Sequence, residues 1–495
     1  MTLAILVVAA TAGLALWSRF CRWERQGRRE LVLAVVIGTV VADLILYPSQ
    51  NNVPIGLFRP YVAGQSFRLS ELLIVLGLLA RLAVRGGPRR FTAVGLAWTA
   101  FSVWYGAAAI SGLLAGNPLE DVLFQAKVII YIAGGLGLAA GVDPSRLVTT
   151  NAIGSWFVGL GAVVAVMFPL TLRTSDLRLA LPGLALDDLG ELGPDGASAV
   201  VVLATIALLV EGCRRDRRAL IGLAGMPMVV SVFASTQRAA MLGLAVTAAL
   251  LVVLATSGTW RKRLRTTPTS IFLVITVVAV LAASLALLQI RKGERLPVVD
   301  AYEETFLATK KQQSADIRVM LWREARLLYD ERPFVGHGLG VPFEVPVPGT
   351  DQVVDSGFHN LVWDLLARTG IIGLVLFLLA VAVTLREGWR GWRGHADARV
   401  AALALGAALG VASLLAKGMV EDVFEKHRLA TLLGLLLGIM VAAGNAVREG
   451  TDVDEDVVVH GRTDGSTALA HVTGAGAVPE PRAAQDIMRE NAAWS

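Results

Sequence analysis

The sequence predicts an all-α fold. It is a polytopic transmembrane helix bundle of about 12–13 spans, with one large extracytoplasmic helical loop between late helices. Three observations predict it. Hydrophobic residues make up 55% of the chain and charged residues 17%, far from the balance of a soluble domain. The apolar residues gather in runs of roughly 16 to 25, the length that crosses a bilayer core. These runs do not alternate with polar residues, which excludes the strands of a membrane barrel. Arginine-rich segments separate the runs, as expected of cytoplasmic loops.

The first run, 3–17, has no basic segment ahead of it and is followed by one at 18–30, so it reads as a first span rather than a signal peptide. Placing the basic segments 18–30, 81–90, 213–218, 260–265 and 385–399 inside leaves an even number of runs in each interval. Spans are then expected near 2–17, 31–47, 70–85, 91–114, 122–141, 149–168, 196–211, 219–234, 239–256, 270–290, 361–384, 400–417 and 429–444. The N-terminus lies outside and the C-terminus inside. The chain divides into ten helices over 1–290, an extracytoplasmic catalytic loop over 291–360, C-terminal spans over 361–444 and a disordered cytoplasmic tail over 445–495. The net charge of +5 reflects loop orientation, and no basic tract with interleaved aromatics suggests nucleic acid. Cys21 and Cys213 fall in cytoplasmic arginine-rich loops and imply no disulfide.

The outer segment turns helical from Ser314, a plausible N-cap, and Pro333 ends the helix. Arg318, Trp322 and Arg326 recur every four residues and share one face. The following RPFVGHGLG (332–340) holds three glycines in five residues, which permits tight turns and close backbone approach to a ligand. It lacks the Lys-Ser/Thr of a phosphate-binding P-loop. His359 and Asn360 then stand at the mouth of a span, and Arg238 occupies an outer hairpin turn. Taken singly, Arg318 reads as a solvated helix face, Arg238 as a snorkelling arginine and His359 as a helix-terminal residue. Arg326, His337 and Asn360 are secondary candidates. Lys426, His427 and Arg428 cap the last outer turn as interfacial residues, with Glu421 and Asp422 expected to pair with them. The carboxylates of LDDLGE (186–191) lack further ligands, so no metal site is expected.

The stretches STQRAAMLGL (235–244), RVMLWREARLLYDERPFVGHGLG (318–340) and FHNLVWDLLARTGIIGLVLFL (358–378) together resemble the O-antigen ligase / O-antigen polymerase superfamily of bacterial envelope proteins. The shared pattern is an Arg–Trp helix, a Pro–Gly–Gly turn, and a His-Asn pair opening a helix that ends in Gly–Gly. The resemblance implies a multi-pass enzyme of the bacterial plasma (inner) membrane with its catalytic loop outside. It implies a glycan donor on polyprenyl diphosphate, an acceptor that is a glycan, a lipid or the cell wall, and no cofactor. Carried over by position, Arg238 and Arg318 would bind the diphosphate and His359 would sit at the acceptor hydroxyl. His337 inherits no role.

The expected reaction is metal-independent transfer. Arginine offers a permanent, planar charge for the phosphate oxygens, and a neutral histidine can take the acceptor proton. Ligase is preferred over repeat-unit polymerase. A transporter or flippase is a further alternative, but transporters place ionisable groups near the midplane. Asp43, Lys127 and Lys417 all lie near predicted helix ends instead. An inactive scaffold is the remaining alternative.

Overall fold

The computed structural model describes residues 2–46, 61–62, 65–66, 69–85, 92–149, 194–213, 238–256, 309–346, 353–354, 357–424 and 426–463. Its helices are α1 (Thr2–Arg25), α2 (Arg29–Leu46), α3 (Leu69–Arg85), α4 (Ala93–Leu114), α5 (Leu119–Ala139), α6 (Pro144–Thr149), α7 (Pro194–Gly212), α8 (Arg238–Thr256), α9 (Thr309–Glu331), α10 (Leu361–Gly394), α11 (Ala398–Gly418) and α12 (His427–Thr463). Two short antiparallel pairs accompany them: Tyr61–Val62 with Gln65–Ser66, and Val345–Pro346 with Val353–Val354. Ten of the thirteen expected spans coincide with these helices; those at 149–168, 219–234 and 270–290 lie outside the described residues. Among the described residues, α4, α5, α10, α11 and the part of α12 up to Glu449 are long and apolar enough to cross a bilayer. The protein is a multi-pass membrane protein.

Small residues let these helices approach backbone to backbone, the usual packing device where lipid removes the hydrophobic drive between helices. On α11, a Cβ at Gly406 would lie 3.0 Å from the Ile206 Cα of α7. On α12, a Cβ at Gly434 would meet the Ile132 carbonyl of α5 at 2.4 Å. The centre is therefore α11, packed against α7, α8 and α10.

Three boundaries differ from expectation. Helix α9 begins at Thr309, so Ser314 is not its N-cap but lies inside it. Helix α12 continues to Thr463, past the residue-445 limit expected for the last span, because extending a formed helix needs no new nucleus. The unit from Arg448 onward is described only as this helix; the remaining tail lies outside the described residues. The third difference shapes the site. Helix α10 is broken at Gly370, which has φ 66° and ψ −175°. The expected span of 361–384 therefore starts afresh at Ile371. The segment before the break holds Asp364 and Arg368, whose charges do not suit a lipid-facing surface.

Candidate functional site

A helix break strands carbonyls on one side and N–H groups on the other. Here the glycine turn after α9 satisfies both. The Ala367 carbonyl accepts from His337 N at 2.9 Å, and the Arg368 carbonyl from Gly338 N at 3.0 Å. The Thr369 carbonyl accepts from Trp104 Nε1 at 2.9 Å. Beyond the break, Ile371 N donates to the Pro333 carbonyl at 2.8 Å. The turn is also locked onto α4 and α5: Leu339 N donates to the Ala108 carbonyl, Asn117 Nδ2 donates to the Leu339 carbonyl, and Gly340 N donates to Gln125 Oε1. Gly336, Gly338 and Gly340 all have positive φ. The close approach expected for a ligand is thus an approach to other helices.

This arrangement carries α9 alongside the first segment of α10. Leu321 and Ala325 of α9 pack with Phe343, Val345, Phe358 and Ala367 in a separate small core. Next to Phe358 of that core comes His359, half-buried and adjacent to the N-cap of α10. Burial holds its imidazole below the ordinary value of about 6.5, and the charges of Arg318 and Lys426 push it the same way. Glu421 and Asp422 oppose them in part. His359 Nδ1 is buried with no hydrogen-bond partner among the described residues.

Arg318 and Lys426 therefore lie within electrostatic reach of His359. Asn360 has a capping role: its Oδ1 accepts from Val362 N at 2.9 Å and Trp363 N at 3.2 Å, and its Nδ2 donates to the Met419 carbonyl at 2.8 Å. His337 is turned away, with Nε2 donating to the Leu328 carbonyl at 2.9 Å and closing the end of α9. Arg326 is exposed and sits 3.6 Å from Asp330, an i,i+4 surface pair of little energetic weight. Arg238 is the first residue of α8, and its side chain lies outside the described set. Glu421 pairs with Lys417 at 2.7 Å, a partner one turn back that sequence reasoning did not assign to it.

Sequence reasoning left Lys426 as an interfacial residue and passed over Asp364 and Arg368. The latter two form a buried ion pair of 2.6 Å. The available signal was two opposite charges at i,i+4 inside an otherwise apolar stretch.

Compared with known proteins, residues 223–378 match the family described as O-Antigen ligase. The match covers about a third of the chain. That match takes in α8, α9, the glycine turn, His359 and the break in α10. No curated protein matches the chain. The match supports a membrane glycosyltransferase of the ligase/polymerase type.

Proposed function

We propose that the chain moves a glycan from a polyprenyl-diphosphate carrier to an acceptor hydroxyl at the outer face of the bacterial plasma membrane, as a ligase. One observation carries this reading: a neutral-leaning imidazole, His359, sits within electrostatic reach of the fixed cations Arg318 and Lys426 beside the start of a membrane helix. The acceptor oxygen attacks the anomeric carbon as its proton passes to His359. The glycosidic bond to the diphosphate breaks, and polyprenyl diphosphate departs with the electron pair. Attack opposite the leaving group inverts the anomeric centre.

The departing diphosphate carries about two negative charges, and arginine holds phosphate oxygens through a planar fork. Arg318 and Arg238 are assigned to it. Arg238 opens α8, where the helix dipole disfavours a cation, and a bound anion reverses that sign. With arginines holding the leaving group, no metal is required. Transfer by purified protein is expected to continue at full rate in excess EDTA; abolition by EDTA with recovery on adding magnesium would refute metal independence.

The neutral state of His359 makes a pH prediction. Its base form predominates above a pKa that burial, Arg318 and Lys426 hold low. The acid limb of kcat/KM should therefore have its midpoint below about 6.5. Lys426→Met removes one lowering charge and is expected to move that midpoint upward; no movement, or a downward one, contradicts the assignment. By linkage, a depressed histidine contributes stability that is complete above about 6.5 and is lost as pH falls toward the folded-state value.

A deletion strain tests the reaction class. Loss of a ligase leaves long glycan chains on the carrier, resolved by gel. Loss of a polymerase leaves single repeats. Lipid flipping or uptake in liposomes without any transfer would favour a transporter over either enzyme.

A further inference from the structure

Among the described residues, His359 is the one non-glycine residue with positive φ, 51°. The left-handed region costs an ordinary side chain on the order of 1–2 kcal/mol, and it persists where neighbours over-determine it. Both neighbours of His359 are anchored. Asn360 is tied by its cap and by the Met419 carbonyl. Phe358 is fully buried, and its ring stacks on Phe343 with centroids 4.3 Å apart. The Arg368 guanidinium lies 5.7 Å from the Phe358 ring centroid, within cation–π range. Asp364 holds that guanidinium at 2.6 Å.

A buried ion pair rarely stabilises a fold better than packed apolar side chains of equal volume. What this pair supplies is direction. The carboxylate fixes the rotamer of Arg368, and the flat guanidinium fixes the plane of Phe358. We propose that Asp364 and Arg368 are positioning residues for glycan transfer, setting His359 through the ring of Phe358. This rests on the reading of His359 as the proton acceptor. The charges acting on the imidazole are Arg318, Lys426, Glu421 and Asp422, so the pair works through geometry rather than through its field.

The test replaces both charges together, Asp364→Leu with Arg368→Met, so that neither is left buried alone. The donor is the carrier-linked glycan extracted from cells deleted for this chain, and the acceptor is the envelope lipid of the same cells. The paired variant is expected to lose about tenfold or more in kcat, as misplacing a reactive group does. Its KM for the extracted donor should stay within twofold, and its acid-limb midpoint should not move. Phe358→Leu, which leaves the ion pair intact, should reproduce that loss, and combining it with the paired change should add little further.

Should the paired variant fail to reach the membrane, Phe358→Leu decides alone. The inference is overturned if Phe358→Leu, or the paired variant where it accumulates normally, keeps kcat within twofold while His359→Asn is inactive. Full activity of His359→Asn overturns the base assignment and this inference with it.

Discussion

His359→Asn is expected to leave a folded, membrane-inserted protein whose glycan transfer falls by two to four orders of magnitude, the range that general-base catalysis supplies. Asparagine is the informative replacement because the position has φ 51°. Asn tolerates the left-handed region, whereas alanine adds backbone strain on the order of 1 kcal/mol to the loss of the ring. His359→Ala should therefore be as inactive as His359→Asn and somewhat less stable. Arg318→Lys keeps the charge but loses the fork, and it should also fail to transfer efficiently. The measurement is release of glycan from the extracted carrier, alongside a melting curve in detergent. Transfer within tenfold of wild type by His359→Asn would remove His359 from the chemistry.

The second large effect concerns folding. Gly338→Ala should destabilise the protein by on the order of 3 kcal/mol or more, combining left-handed strain with overpacking. Its φ is +85°, and a Cβ there would lie 2.4 Å from Gly112 N. Gly116 is the control: its φ is +84° and nothing lies within 4 Å of a Cβ built on it. Gly116→Ala should cost only the conformational term, about 1–2 kcal/mol. The two variants share their backbone strain, so the difference in melting temperature isolates the packing of the turn against α4. Equal losses would show that the turn is not wedged there.

Much of the bundle was legible because a bilayer imposes a length and a hydrophobicity on every span. α4, α5 and α11 fall within a few residues of where their apolar runs place them. The site was legible in part. Arg318 and His359 could be named as candidates only through the resemblance of 318–340 and 358–378 to a known family; singly, each reads as an ordinary interfacial residue.

The role of the glycine turn was not legible. Its hydrogen-bond partners include the carbonyls of 367 and 368, on an element that follows it in sequence, and the break that frees them depends on the backbone conformation of Gly370. Asp364 and Arg368 were hidden for a related reason. A helix drawn as continuous from 361 to 384 makes them anomalies in lipid, whereas a helix that restarts at Ile371 removes them from the span.

The mended break in α10 also bears on what kinship among such proteins means. Gly336, Gly338 and Gly370 are matched parts of a joint: the first faces the backbone of Arg368, the second that of Gly112 and the third that of Phe334. A pattern built on those residues reports that the joint is present. Two enzymes can share it fully and still differ in which polymer they handle and where they attach it.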